Sequence, residues 1–202
     1  MKDKKIIFMG SPQIASEYLK ILLKNNLNVV GVYTQPPRPQ GRGMNIKNSP
    51  VHEEALKQKI PVFHPENFKD NLNIEPLKEL NPDLVFILKG EIIYPETLKW
   101  IRDNTDAKII CWLMDVVKRY PQIERLLKYY DYMFTYEPDD IDYLRRFNPE
   151  THYLPVAYDP KVFFKIDNIK KKWDLSFIGT WSKNREDFLI KVSKLLEKES
   201  LN

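Results

Sequence analysis

Apolar and polar positions alternate along this chain in blocks whose period changes regularly. Residues 5–9 (KIIFM) and 28–34 (NVVGVYT) are short apolar runs. Between them Ile14, Tyr18, Leu19, Leu22 and Leu23 recur at the three- and four-residue spacing of one buried helix face. Gly10 ends the first run, Ser11 is suited to capping and Pro12 to the first helical position. Strand, turn, helix and strand in this order predict a βαβ unit. The most informative stretch is 81–90 (NPDLVFILKG), where Leu84 to Leu88 are all apolar between an Asn-Pro-Asp turn and Gly90. Pro82 bars a helix interior and the run is too short for a helix. It predicts a strand buried on both faces, and hence a parallel sheet with helices on each side.

The same alternation continues. Residues 35–50 (QPPRPQGRGMNIKNSP) read as a long polar loop, of the kind that is usually functional or disordered. Ser49 and Pro50 then start a helix at 51–59, followed by a brief strand at 61–64 and a helical segment at 67–80 broken by Pro76. Beyond the central strand come a helix from Pro95 to Arg102, a strand at 108–113 (KIICWL), an amphipathic stretch at 121–130 and a strand at 132–136 (YMFTY). A helix opening at Glu137 and stopping at Asn148-Pro149 leads to a last strand at 151–156 (THYLPV). The expected fold class is α/β: a doubly wound, Rossmann-like, mainly parallel sheet with helices on both faces over residues 1–160. A charged linker at 161–173 and a short C-terminal βα extension at 174–202 follow. In that extension a strand at 175–178 and a helix at 185–198 read as the start of a second, incomplete α/β domain.

Composition changes this picture little. The formal charge of +4 over 202 residues suits an anionic ligand or RNA and demands neither. The single cysteine, Cys111, excludes a disulfide framework. No apolar run approaches the roughly 18 residues of a membrane span, and residues 6–9 are too short for a signal-peptide core. The expected compartment is the cytoplasm.

Candidate chemistry follows from position. Gly10-Ser11-Pro12 lacks the second and third glycines of a dinucleotide fingerprint, which argues against NAD, yet the backbone N–H groups of such an elbow suit an anion. Asp115 ends a strand at the sheet edge where parallel sheets place ligands, and reads as a catalytic base or as a plain loop carboxylate. Trp112 and Trp181 are suited to stacking on a sugar or base, with core packing the expected role for both. Cys111, inside a strand, is expected to be an inert buried thiol. Lys170, Lys171 and Lys172 read as solvated linker. No Cys/His cluster has metal-ligand spacing, so no metal is expected.

Four blocks, at 6–12 (IIFMGSP), 29–43 (VVGVYTQPPRPQGRG), Ser49-Pro50-Val51 and 61–65 (PVFHP), occur in the order and at the intervals of one family. Over residues 1–85 the chain resembles the N-terminal half of methionyl-tRNA formyltransferases. The resemblance implies a 10-formyltetrahydrofolate donor and initiator tRNA as partner. Gly10, Ser11, Pro12 and Gly90 would then bind the cofactor. Arg38, Arg42 and Lys47 of the QPPRPQGRG loop and its continuation would contact the tRNA acceptor end. The family's Asn-x-His block and the Ser-Leu-Leu-Pro that follows it are missing: the corresponding strand is IICWLMD at 109–115, and the only histidines are His52, His64 and His152. No formyl-transfer residue carries over, so little or no turnover is expected.

From 77 to 185 the chain instead resembles spore-maturation-type glycosyltransferases, on the blocks 81–90, 92–98, 108–115, 131–136, 153–159 (YLPVAYD) and 174–185 (DLSFIGTWSKNR). That resemblance implies a sugar acceptor and a nucleotide-sugar donor, with residues 77–160 forming an acceptor-side domain. A non-catalytic α/β binding module is the third expectation.

Overall fold

The computed structural model describes residues 2–40, 43–66, 75–90, 93–168, 170, 172, 173 and 175–198. It contains two compact units, Met1–Ala157 and Tyr158–Asn202.

The first unit runs β1 (Lys5–Met9), α1 (Gln13–Lys24), β2 (Asn28–Tyr33), β3 (Arg38–Gln40), β4 (Asn45–Lys47), α2 (Pro50–Lys57), β5 (Val62–Phe63), α3 (Glu75–Leu80), β6 (Leu84–Leu88), α4 (Pro95–Asn104), β7 (Lys108–Leu113), α5 (Glu124–Leu127), β8 (Tyr132–Thr135), α6 (Ile141–Arg145) and β9 (Thr151–Tyr153). Seven strands form one sheet in the order β5-β2-β1-β6-β7-β8-β9, and all its pairings are parallel. The chain builds outward from β1 to β5, returns to lay β6 on the other side of β1, and builds outward again to β9. The doubly wound α/β fold expected from the alternation is therefore present. Its reversal lies between β1 and β6, and the helices that follow these strands pack on opposite faces, the arrangement in which such a sheet leaves a crevice at the carboxyl ends of its strands.

The sheet separates two apolar clusters. On one face α1 and α2 bury Ala15, Leu19, Val51 and Ala55 against Ile6, Phe8, Val32, Leu88 and Trp112. On the other, α3 to α6 bury Leu77, Leu98, Ile101, Leu126, Leu127 and Leu144 against Ile7, Val85, Ile87, Ile109 and Met133. β6 sends Val85 and Ile87 to one cluster and Leu88 to the other, which is why its sequence reads as an unbroken apolar run. A register shift between Ile6 and Ile7 pairs them with Val29 and Gly31. Val30 then packs with the second cluster while Val29 and Val32 stay with the first.

Several elements differ from expectation. The predicted loop at 35–50 contains an antiparallel hairpin, β3 with β4; strands of three residues are too short to show a period. The amphipathic stretch at 121–130 is one 3₁₀ turn, Pro121–Ile123, followed by the four-residue α5, and the helix expected from Glu137 starts with a 3₁₀ turn before α6. β9 ends at Tyr153, ahead of Pro155, which has no N–H for a ladder. Of the segment at 67–80, only α3 lies within the described residues. In the second unit α7 (Lys183–Lys198) is the regular element described, and none of its residues is buried. Residues 175–178 form no strand, since among the described residues of that unit there is no neighbouring strand to complete a ladder.

Candidate functional site

One wall of the crevice is the turn from β1 to α1. Gly10 donates its N–H to the Tyr33 carbonyl at 3.0 Å, continuing the β1–β2 ladder for one residue. A Cβ on Gly10 would lie 2.8 Å from the Ala15 Cβ, so glycine here lets α1 start close to the strand. Pro12 is extended at the helix N-cap; no side chain caps α1, and its first turn carries no acidic residue. Ser11 Oγ accepts the Gln35 N–H at 3.0 Å and the Thr34 hydroxyl at 3.2 Å. Thr34 Oγ1 in turn lies 2.6 Å from Ser49 Oγ, and Ser49 caps α2 by accepting the His52 N–H at 3.0 Å. The elbow, the end of β2 and the start of α2 are thus joined through hydroxyls.

The facing wall is the end of β6. Lys89 and Gly90 both have left-handed backbone, with φ of 76° and 77°, a conformation costly for lysine. A Cβ on Gly90 would meet Cys111 Sγ at 3.1 Å and Tyr130 Oη at 3.2 Å. Lys89 donates its N–H to the Trp112 carbonyl at 2.9 Å, and Cys111 Sγ points at the Lys89 carbonyl at 3.8 Å. Asp115, two residues past β7, pairs with Lys89 Nζ at 3.2 Å and Arg119 at 3.1 Å, and the Tyr120 hydroxyl lies 3.5 Å away. Both carboxylate oxygens are engaged by cations, so Asp115 anchors Lys89 and Arg119 at this edge.

The hairpin rises between β2 and α2. Arg38 stands directly opposite Lys47, Pro39 opposite Ile46 and Gln40 opposite Asn45. Two like charges across a ladder repel, and no acidic partner offsets either one among the described residues. Met44 and Ile46 are also largely exposed. Arg42 lies outside the described residues.

His52 and His64, which carried no functional expectation, are stacked with ring centroids 5.4 Å apart. Burial, then the neighbouring His64, holds the His52 imidazole below the ordinary histidine range. His52 Nδ1 is buried without a hydrogen-bond partner. Ser49 was legible as a cap; Thr34 and the stacking of His52 on His64 had no sequence signal, because both arise from contacts between separate elements.

Trp112 packs edge-to-face on Tyr18 at 4.8 Å and the Cys111 thiol is buried, the burial expected of both. Trp181 is not in a core: it is 77% exposed, in a unit whose helix buries nothing. Lys170 and Lys172 are exposed; Lys171 lies outside the described residues. Among the described residues there is no cluster of three or more potential metal ligands, and no helix long and apolar enough to cross a membrane.

Comparison with known proteins assigns about half of the chain a likeness. A methionyl-tRNA formyltransferase of Sulfurihydrogenibium is 48% identical over 95 residues, 46% of this chain and 30% of its own length. Methionyl-tRNA formyltransferases of Francisella tularensis subspecies mediasiatica and novicida are each 43% identical over 97 residues, 48% of this chain and 31% of theirs. The chain therefore spans under a third of the length of these curated relatives. No family model matches it. Among solved structures, an E. coli tRNA N6-threonylcarbamoyladenosine dehydratase superposes with a TM-score of 0.39 at 10% identity, covering 55% of this chain and 51% of its own, a likeness too weak to carry an argument.

Proposed function

We propose that this chain is a formyltransferase-type binding domain. In this reading it takes up a 10-formyltetrahydrofolate-type donor at the crevice between β1 and β6, and initiator tRNA along the β3–β4 hairpin, without supplying the residues of formyl transfer. The observation that carries the reading is the 43–48% identity to methionyl-tRNA formyltransferases over about half of the chain. Two features of the molecule support it. The crevice lies at the reversal of the sheet, where open α/β folds hold small ligands. The hairpin presents Arg38 against Lys47, an arrangement that costs stability alone and gains from a polyanion.

Turnover by the resembling family's chemistry needs an Asn and a His near the end of the strand after β6. Here that strand is β7, and Cys111, Trp112, Leu113, Met114 and Asp115 occupy its end. His52 starts α2, His64 follows β5 and His152 is in β9. Asp115, held by Lys89 and Arg119, is the carboxylate that this reading would take as a base. The relatives described are formyltransferases over 46–48% of the chain, which supports the formyl-folate reading and lends the sugar-transfer alternative no support. A reducing, cytoplasmic setting is part of the proposal, consistent with a lone buried thiol.

The test is a titration of the purified full chain with a stable formyl-folate analogue and, separately, with initiator tRNA. Analogue at about 100 times its Kd stabilises by about 2.7 kcal/mol, a readily measured rise in melting temperature. Initiator tRNA binds with an affinity that falls as salt rises, and no formyl-methionyl product accumulates. A melting temperature indifferent to the analogue together with no tRNA binding at low salt sinks the reading; steady product formation sinks its non-catalytic half.

A further inference from the structure

The hydroxyl contacts at the crevice have a fixed polarity. Thr34 and Ser49 are 5% and 0% exposed, so each hydroxyl must satisfy itself inside the protein. A serine or threonine hydroxyl has one proton to give and two lone pairs to receive with. Thr34 gives its proton to Ser11 Oγ. The 2.6 Å contact between Thr34 and Ser49 therefore has Ser49 as donor. Ser49 in turn accepts the His52 N–H, which leaves its own proton for Thr34. The chain runs one way, from the His52 amide through Ser49 and Thr34 to Ser11.

At Ser11 the accounting closes on a single unspent group. Its oxygen receives both the Thr34 proton and the Gln35 N–H, so its two lone pairs are taken and its own proton has no place among these partners. Ser11 is only half-buried and sits one residue past Gly10, at the carboxyl end of β1 beside the sheet reversal. Donors upstream in such a chain polarise those downstream, which makes the last O–H a stronger donor than an isolated serine.

We infer that Ser11 is a ligand-directed hydrogen-bond donor, primed by Thr34 and Ser49, and that it selects ligands presenting an acceptor oxygen at the β1 elbow. Thr34 and Ser49 are positioning residues that touch no ligand. This deepens the folate reading above and rests on the same crevice; the acceptor is a carbonyl or carboxylate oxygen of a folate-type molecule, or a phosphate oxygen.

The experiment measures Kd on the full chain for two probes, the formyl-folate analogue and inorganic phosphate, in wild type, Ser11→Ala, Thr34→Val and Thr34→Ser, with melting temperatures recorded for each. Ser11→Ala weakens the bound probe about fivefold or more, and it also lowers the melting temperature, since the Thr34 proton and the Gln35 N–H lose their acceptor. Thr34→Val weakens it about two- to fivefold from a distance, and Thr34→Ser, which restores the hydroxyl, returns it to the wild-type value. If wild type binds the analogue and Ser11→Ala binds it equally well, the inference falls while the folate reading stands. If wild type binds phosphate alone and Ser11→Ala loses it, the inference stands and the folate reading falls. Failure of wild type to bind either probe overturns both.

Discussion

Thr34 Oγ1 and Ser49 Oγ meet at 2.6 Å across the root of the β3–β4 hairpin, closing the 14 residues from 35 to 48 into a loop whose two ends are fixed to the sheet and to α2. Both hydroxyls are buried, and Ser49 also caps the helix that carries Val51 and Ala55 into the core. Ser49→Ala removes the cap and leaves the Thr34 oxygen without its donor, at a combined loss of about 1–3 kcal/mol. Thr34→Val spares the cap and loosens only the root. In limited trypsin digestion, cleavage after Lys47 should accelerate in Thr34→Val, and unchanged cleavage would show that the root is held by other contacts.

Gly90 tests how far the end of β6 tolerates side chains. Its φ of 77° is in the left-handed region, and a Cβ there would press on Cys111 Sγ and Tyr130 Oη. Gly90→Ala combines backbone strain with crowding, and a loss of about 1–3 kcal/mol is expected by chemical denaturation. Cys111→Ala makes room on one side. The double variant should recover part of that loss, and additive losses would mean that backbone strain alone governs the site.

What could be read from the residues in order was whatever one element decides by itself. The run at Leu84 to Leu88 required burial on both faces, and β6 is buried on both; the Ser49-Pro50 start and the stripe of Leu19 on α1 are equally local. Gly10 and Gly90 were legible as turn points. Their fit against Ala15 and Cys111 was not, since it depends on how α1 and β7 pack. The hairpin escaped because Pro39 and Gly43 read as loop and three-residue strands have no period. Trp181 shows the opposite error: a large aromatic suggested core packing, and the described part of its unit leaves it 77% exposed.

The hairpin cations give a prediction with a sign and a slope. Arg38 and Lys47 are cross-strand neighbours, so removing either relieves their mutual repulsion and leaves the fold slightly more stable or unchanged. Under the tRNA reading, Arg38→Ala and Lys47→Ala each weaken binding of initiator tRNA and reduce the slope of log K against log salt by about one. A slope that stays at the wild-type value in both variants would remove the hairpin from the interface. The outcome also separates affinity from stability, because binding is expected to fall while the melting temperature holds or rises.

Asp131 and His52 both lose their contribution to stability as the pH falls, but in separate windows. Burial raises the Asp131 carboxyl, but its bond from the Ile109 N–H, with Lys108 and Arg102 beside it, outweighs burial and holds it below the ordinary carboxylate range. Its stabilisation is present above the unfolded carboxylate value near 3.9 and is lost only as pH falls below that. His52 is lowered as a base, so the folded chain favours the neutral ring. Its contribution is complete above the unfolded histidine value of about 6.5 and declines as pH falls from there towards its folded value. Between pH 7.5 and pH 5 the histidine is therefore the group that moves, and His52→Phe, which keeps a ring against His64, should flatten that part of the profile while leaving the loss below pH 4 intact. Denaturation midpoints of wild type and His52→Phe at pH 7.5, 5.5 and 3.5 decide it: a difference between the two proteins that is the same at pH 7.5 and 5.5 would show that His52 does not titrate in that window.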